Sequence, residues 1–341
     1  MALDISKLKQ DNKNECILHL VDPKLNKNHL VYWIGIFDES SISISYLVRD
    51  KKSFQELAVM YPNHQILFAA TPVDVETVIN SQPFLKAIFF PLNAAKNIHL
   101  LRFNHLKHIF IGTKHSDHLS VLNKSYRAYD EIWLSSQFMV DKYKETFKKL
   151  GHLQLKKVGK PQFRELIKKV EQSNTKTSIF IKIGKNRKNK GLVNYLSSIL
   201  LDLKGESFSI LSKEKTSLSA LRNFIQGYSL NVQIYEDSAT EELLALQSKY
   251  IISDIETLSV FDLLYSKPIC IFIPEDIDKS SLTLPIPLES LYCFSSLKEL
   301  KSIVNSLQED PLKAKRDYYA QYFLGKKEII NNTFLQELDK L

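Results

Sequence analysis

The sequence predicts an α/β protein made of two domains. Short apolar runs alternate with longer amphipathic segments almost to the end of the chain, a pattern typical of parallel sheets wrapped by helices. The chain has 341 residues, which is more than one hydrophobic core usually supports. A polar, charged stretch at residues 168–177 separates two such alternations. We therefore expect two Rossmann-like domains, residues 1–170 and 171–341, that face each other across a cleft.

The individual elements follow from the spacing of apolar residues. In the first half, strands are predicted near residues 17–21, 31–37, 42–48, 66–69, 87–90, 108–111, 131–134 and 155–158, and helices near 53–60, 73–81 and 136–150. In the second half, strands are predicted near residues 178–183, 207–211, 232–235, 250–253 and 269–273, and helices near 192–202, 218–226, 239–249, 258–266 and 296–308. The last segment, residues 311–341, is helical in composition and rich in tyrosine.

Charge and cysteine content narrow the class of protein. Lys and Arg number 46 against 38 Asp and Glu, a net charge of +8. This excess suits an anionic ligand, a phosphorylated lipid, a membrane surface or nucleic acid, and a solvated lysine-rich surface explains it equally well. The three cysteines, Cys16, Cys270 and Cys293, are odd in number and far apart in sequence, so we expect reduced thiols.

No run reaches the roughly 20 apolar residues of a membrane span. We expect a cytoplasmic protein, with peripheral contact at the inner face of the membrane as its only membrane contact.

The first segment that could carry chemistry follows the predicted strand at residues 108–111. It contains His115, Asp117 and His118, and it lies at the carboxyl edge of the predicted sheet, where open α/β sheets bind ligands. A histidine there could act as a general base that the aspartate orients. The alternative is a polar surface turn. A zinc site is not expected, because no further clustered ligand completes the coordination.

The second segment is basic and spans residues 182–191. Lys182, Lys185 and Arg187 lie beside a glycine at the end of a predicted strand and before a helix. Such an arrangement could hold a diphosphate electrostatically, and the alternative is a solvated loop. The segment lacks the interleaved aromatic residues and the longer basic face of a nucleic-acid-binding surface. We therefore expect no nucleic-acid partner.

The third segment begins where the predicted strand at residues 250–253 ends. Asp254 opens a turn, and Thr257 and Ser259 lie near the start of a predicted helix, where backbone N–H groups favour a phosphate. Glu256 opposes this role because its charge would repel a phosphate. The alternative is that Glu256 and Thr257 only cap the helix.

A series of short motifs runs through both halves in a recognisable order. It comprises Asn-Ala-Ala-Lys-Asn-Ile-His-Leu-Leu-Arg at 93–102, His-Ile-Phe-Ile-Gly at 108–112, Ser-Asp at 116–117, Tyr-Asp-Glu-Ile-Trp at 129–133, Asp-Lys-Tyr at 141–143, Val-Gly-Lys-Pro-Gln at 158–162, Ser-Asp at 253–254, and segments 263–268, 310–311 and 318–325. This series resembles the CDP-glycerol glycerophosphotransferase family, whose members build teichoic acids and related phosphate-containing capsule or surface polymers.

The resemblance implies a GT-B-like transferase without a cofactor or metal. The first domain would be the acceptor-side domain and would present a polysaccharide or lipid-linked acceptor. The second would hold a nucleotide-activated donor, a CDP-linked alcohol or a nucleotide sugar, and carry the C-terminal helices. The expected site residues are His115 or His118 as base with Asp117 orienting it, Lys182, Lys185, Arg187, Thr257 and Ser259 for the donor phosphates, and Asp254 and Glu256 in the donor-site turn.

Several positions depart from the family pattern. Thr113 and Lys114 stand where members carry a His-Gly pair, and Glu256 and Thr257 stand where members carry two serines. Phe261 stands where members carry an aspartate, and residues 211–215 lack the family's second His-Pro pair. These departures motivate an alternative hypothesis, a non-catalytic GT-B relative that binds a nucleotide, a polymer or a partner enzyme.

Overall fold

The computed structural model describes residues 13–112, 122–172, 178–184, 192–212, 218–237 and 240–341. The chain divides into two compact units. The first comprises Met1–Arg164 together with Gly325–Leu341, and the second comprises Glu165–Leu324.

The first unit is built on a seven-stranded parallel sheet. Its strands are β1 (Cys16–Leu20), β2 (Ile44–Val48), β3 (Ile66–Phe68), β4 (Ala87–Phe90), β5 (Lys107–Phe110), β6 (Glu131–Leu134) and β7 (Gln154–Lys157). The spatial order is β3-β2-β1-β4-β5-β6-β7, and every neighbouring pair is parallel. The chain order reverses between β1 and β4. This reversal opens a crevice at the carboxyl ends of these strands, where ligands bind in folds of this type.

Helices cover both faces of this sheet. They are α1 (Asn26–Phe37), α2 (Lys51–Met60), α3 (Pro72–Asn80), α4 (Ile98–Leu101) and α5 (Gln137–Phe147). Successive residues of β1 enter different hydrophobic clusters: Ile17 packs in one, and Cys16 and Leu18 pack in the other. Because side chains alternate across a strand, this division shows that apolar residues cover both faces of the sheet.

The predicted strand at residues 31–37 is wrong, because these residues form the second half of α1. The apolar run contains β-branched and aromatic residues, which favour strands on propensity alone. Its buried positions, however, include Asn26, Leu30, Trp33 and Phe37, which follow helical spacing. Burial of this helical face, and not local propensity, determines the element.

The second unit contains a six-stranded parallel sheet. Its strands are β8 (Ser178–Ile183), β9 (Ser207–Ser212), β10 (Val232–Tyr235), β11 (Ser248–Asp254), β12 (Ile269–Phe272) and β13 (Tyr292–Phe294). The spatial order is β10-β9-β8-β11-β12-β13, with parallel neighbours throughout. The five predicted strands are present, and β13 is a sixth that the sequence did not indicate. The chain order reverses between β8 and β11, so this sheet has its own crevice at that point.

The helices of the second unit are α6 (Arg164–Gln172), which starts at the unit boundary, α7 (Leu196–Asp202), α8 (Leu218–Gly227), α9 (Glu241–Gln247), α10 (Leu297–Ser306) and α11 (Lys313–Leu324). The predicted helix at residues 258–266 is a 3-10 turn, Val260–Tyr265. This turn ends at Ser266, which adopts a left-handed conformation before Lys267 and Pro268. A proline cannot continue a helix, so the turn stays short.

The C-terminal helices belong to different units. Helix α11 packs within the second unit, whereas α12 (Lys326–Ile330) and α13 (Thr333–Leu338) belong to the first. Phe334 and Leu338 of α13 pack into the same hydrophobic cluster as Trp33. The contact-based division therefore groups residues 325–341 with the first unit, whereas the sequence-based boundary groups them with the second. Along the described part of the chain, no helix has the length and apolar character that crossing a bilayer requires.

Candidate functional site

The candidate site in the second unit lies where β8 and β11 end side by side. The two strands are parallel neighbours, and Lys182 pairs in register with Ser253. The chain leaves β8 at Gly184 and leaves β11 at Asp254, so both exits lie at the same edge of the sheet. This edge is the topological switch point of the second unit, the place where the chain order of the strands reverses.

The carboxylate of Asp254 organises this edge. One of its oxygens accepts a hydrogen bond from the backbone N–H of Gly184 at 2.6 Å. The other accepts from the backbone N–H of Thr257 at 2.9 Å and from the Thr257 hydroxyl at 2.8 Å. Asp254 is buried, so these N–H and O–H donors supply the hydrogen bonds that water would otherwise provide. The carboxylate thus joins the exit of β8 to the turn after β11.

Gly184 lies too close to this turn to carry a side chain. A Cβ atom placed there would be 2.9 Å from the Cβ of Glu256 and 3.1 Å from each carboxylate oxygen of Asp254. These distances are shorter than van der Waals contact, so any other residue would push the two segments apart. The sequence requirement for glycine at this position is therefore steric.

Lys182 is engaged in a buried ion pair beneath the turn. Its Nζ lies 2.8 Å from Oδ1 of Asp262 and 2.6 Å from Oε1 of Glu241, and the lysine is only 3% exposed. Burial works to lower the pKa of the Lys182 ammonium, but the two carboxylates outweigh it and raise that pKa. Burial also raises the pKa of the Asp262 carboxyl. Two carboxylates around one ammonium give the cluster no excess positive charge.

Ser259 has a structural contact of its own. Its hydroxyl accepts a hydrogen bond from the backbone N–H of Phe261, and its own N–H donates to Asp262 at 2.9 Å. The pair forms a capping box for the 3-10 turn Val260–Tyr265. Asp262 therefore binds Lys182 and caps the turn with the same carboxylate.

The structure brings four of the sequence-predicted donor-site residues together: Lys182, Asp254, Thr257 and Ser259. All four form contacts within the second unit. Glu256 is exposed at the same turn. Lys185 and Arg187 lie outside the described residues, in the segment that follows Gly184 directly in sequence. Phosphate binding by these residues stays a prediction.

In the first unit, the predicted catalytic segment begins at the end of β5. Gly112 has a positive φ of 64°, and its carbonyl accepts a hydrogen bond from Nε1 of Trp33 at 3.1 Å. A small hollow lies at this edge of the sheet, and its lining includes Gly112, Trp33, Trp133 and Lys160. His115, Asp117 and His118 lie outside the described residues. Their catalytic roles stay predictions.

The sequence analysis missed the acidic partners of Lys182. Asp262 is 80 residues away from Lys182 in the chain, and Glu241 is the first residue of α9. One signal was present, since Lys182 interrupts the apolar strand Ser178–Ile183. A lysine inside a buried parallel strand requires a carboxylate partner, because an unpaired charge there is costly.

Solved structures of other proteins have a similar architecture. The UDP-GlcNAc 2-epimerase from Neisseria meningitidis, bound to UDP-GlcNAc, aligns with a TM-score of 0.56 at 10% identity over 96% of this chain and 100% of that chain. A putative UDP-N-acetylglucosamine 2-epimerase from Listeria monocytogenes aligns with a TM-score of 0.54 at 8% identity over 96% of each chain. The wall teichoic acid polymerase TagF aligns with a TM-score of 0.49 at 12% identity over 98% of this chain and 89% of that chain.

The two units, with parallel sheets of seven and six strands, and the likeness to the epimerases define a GT-B-like fold. The predicted fold class is therefore confirmed. No protein-family model matches the chain, and no curated protein matches it. At identities of 8–10% the likenesses to the two epimerases establish the fold and leave the activity to be argued from the site.

Proposed function

We propose that the second unit binds a nucleotide-diphosphate donor and that the protein transfers a polyol-phosphate or sugar unit from it. The acceptor in this proposal is a cell-surface polysaccharide or a lipid-linked precursor. The bond between Asp254 and Gly184 carries the proposal. This hydrogen bond fixes Gly184, which precedes the basic segment 185–191 in sequence, at the switch point of a GT-B-like unit, which is where such sheets bind ligands.

Residues of this site have two different roles in the proposal, support of the turn and contact with the donor. Thr257, Ser259 and Lys182 use their polar groups to build the turn. In our proposal they support the site, and Lys185 and Arg187 contact the donor phosphates. Charge-assisted hydrogen bonds from such side chains are the strong kind that hold a diphosphate.

The chemical step requires a base in the first unit. We assign this role to His115 or His118, with Asp117 orienting the ring. The base takes the proton of an acceptor hydroxyl, and the freed oxygen attacks the donor. With a CDP-linked alcohol, the new bond forms to phosphorus and CMP leaves; with a nucleotide sugar, the bond forms to carbon and the nucleoside diphosphate leaves.

Nucleotide release tests the proposal. Purified protein is incubated with CDP-glycerol, CDP-ribitol or a UDP-sugar and a lipid-linked acceptor, and CMP or UDP is quantified. We expect acceptor-dependent release with one of these donors. The variant K185Q/R187Q removes two cations that we place on the donor, each hydrogen bond being worth about 1.5–3 kcal/mol. Donor affinity should therefore fall at least about tenfold, since about 1.4 kcal/mol is a factor of ten.

The variant K313Q/K315Q is the matched control, because it removes the same charge from exposed lysines of the same unit. It should bind the donor like the wild type. Equal weakening in both variants would contradict specific phosphate binding by the basic segment. A thermal shift with CDP or UDP but no release with any donor would favour the non-catalytic alternative. If the protein neither binds a nucleotide nor releases one from any donor, the proposed donor site is rejected.

A further inference from the structure

A buried arginine lies at the carboxyl edge of the first sheet. Arg49 directly follows β2 and is 2% exposed. Its guanidinium donates hydrogen bonds to the carbonyls of Ala69 and Ala70. Its Nη2 lies 3.1 Å from Nδ1 of His99, and its Nη1 lies 3.4 Å from Nε2 of His19. All of these acceptors are neutral groups.

The hydrogen bonds determine which nitrogen of each histidine carries the proton. Asn97 donates through Nδ2 to the carbonyl of Leu92 and to the Tyr129 hydroxyl, so its Oδ1 faces Nδ1 of His19 at 3.2 Å. His19 therefore donates from Nδ1 and accepts from Arg49 at Nε2. His99 accepts from Arg49 at Nδ1, so its own proton lies on Nε2.

Both histidines are held in the neutral form. Burial and the positive charge of Arg49 lower the pKa of His19 and that of His99. Lys96 and Arg102 lower the pKa of His99 further. At neutral pH the His99 ring therefore presents an N–H donor that the guanidinium behind it polarises. Among the described residues, Nε2 of His99 has no hydrogen-bond partner.

The Asp74 carboxylate offsets part of the cost of burying Arg49, but burial outweighs it and lowers the pKa of the guanidinium. Within the described ranges, no carboxylate lies within 4.0 Å of Arg49 or Lys96. Asp74 also caps α3 through Thr71, and Glu76 pairs with Arg102 at 2.9 Å. A buried cation without a carboxylate in direct contact is unfavourable. An anionic ligand would remove that penalty.

The cluster opens to solvent on one side. Arg49 is buried, His99 is partly exposed, and Lys96 and Ala70 are exposed. Lys96 and His99 lie after β4, beside β1, where the chain order of the first sheet reverses. This is the crevice at which sheets of this class bind ligands. The crevice, the positive charges of Arg49 and Lys96, and the N–H donor of His99 therefore lie at the same place.

We propose that Lys96 and the Nε2–H of His99 bind the phosphate group of a phosphate ester, and that Arg49 is a positioning residue. Arg49 fixes the His99 ring and supplies a positive field from behind. The site does not rest on the proposed transferase function. A soluble phosphate ester or a phospholipid headgroup would satisfy the same donors. Val73 and Ile98 are 71% and 64% exposed on the adjoining helices α3 and α4. Exposed apolar side chains suit contact with a lipid surface, so binding to lipid is measured separately.

Proton NMR of the histidine rings tests this site. The chain has nine histidines, and the H99Q variant identifies the His99 signal. Titration with sn-glycerol 3-phosphate or inorganic phosphate should shift that signal and raise the pKa of His99, because an anion stabilises the charged ring. In K96Q/H99Q, calorimetric affinity for the same ligands should fall at least about tenfold. The control K144Q/H105Q removes an exposed lysine and an exposed histidine elsewhere in the unit.

A second arm distinguishes the sources. Vesicles of phosphatidylglycerol in phosphatidylcholine are sedimented with the wild type and both variants. Retention that K96Q/H99Q alone abolishes supports the site with a lipid ligand, and soluble binding without retention supports it with a soluble ester. In R49Q the pKa of His99 should rise toward its ordinary value while the other histidine signals keep their folded-state positions, which separates this effect from unfolding. The proposal is overturned if the wild type binds neither ligand nor vesicle, or if the control loses binding equally.

Discussion

Replacing Lys182 with methionine should destabilise the second unit strongly. Methionine keeps most of the volume but removes the charge, which leaves the Asp262 carboxylate 1% exposed and without its cation. Breaking a buried ion pair in this way costs about 3–5 kcal/mol. Glu241 adds less, because its side chain is 27% exposed and reaches water. We therefore expect the free energy of unfolding to fall by about 3–5 kcal/mol, chiefly because Asp262 loses its cation.

The penalty should depend on pH. Burial raises the pKa of Asp262 and Lys182 opposes that rise, so in the variant the pKa should rise further and the folded state should bind a proton more tightly than the unfolded chain does. Stability then falls as pH rises from the unfolded-state pKa of about 3.9 through the raised value. The variant should therefore be closest to the wild type at acid pH. In the wild type, the raised pKa of Lys182 keeps the ion pair complete until pH exceeds the unfolded-state value of about 10.4.

Hydrogen exchange measured by mass spectrometry suits this prediction. Peptides from β8 and β11 report the second unit, and both tryptophans, Trp33 and Trp133, lie in the first unit and report it by fluorescence. Protection in β8 and β11 should fall by about 100-fold to 4,000-fold at pH 8, since about 1.4 kcal/mol is a factor of ten. The urea transition seen by tryptophan fluorescence should move much less.

Two further variants complete this experiment. K249M breaks the surface pair between Lys249 and Glu206 in the same unit, and it should cost at most about 1 kcal/mol. K182M/D262L replaces both buried partners with apolar residues and should recover most of the loss. Equal effects of K182M and K249M would refute the reasoning, and so would a K182M penalty that stays constant from pH 5 to pH 8.

Two other substitutions follow from contacts in the second unit. G184A should destabilise the unit by about 1–3 kcal/mol in urea unfolding followed by far-UV circular dichroism, because the new methyl group meets Glu256. Wild-type stability of this variant would disprove the close approach. D310A should cost about 3–5 kcal/mol in the same assay, because Arg316 is buried and its guanidinium bonds both carboxylate oxygens of Asp310. A loss below about 1 kcal/mol, typical of an exposed pair, would contradict it.

Most of the architecture could be predicted from sequence because parallel strands buried on both faces appear as continuous apolar runs. Such runs marked β1, β4, β8 and β12 correctly. The same signal failed at residues 31–37, where the apolar run belongs to α1. It also failed at β13, Tyr292–Phe294, which is only three residues long. Periodicity cannot separate a short strand from an irregular segment, or an apolar helix from a strand.

The candidate sites were predictable only in part. Asp254 ends a strand and Thr257 follows it closely in sequence, so their place at the sheet edge could be inferred locally. Lys182 was assigned to the donor phosphates, but its partner Asp262 comes from 80 residues away and only the fold brings them together. The cluster around Arg49 was not predicted at all. Its members come from separate segments of the chain, and no local pattern links them.

A crystal structure of the protein soaked with CDP or UDP tests the central claim most directly. The claim is that the donor diphosphate binds to Gly184, which Asp254 holds, and to the basic residues that follow it in sequence. We predict phosphate oxygens about 3 Å from donor groups of residues 184–191. Diphosphate density at any other edge of the second sheet, with this segment untouched, would contradict it.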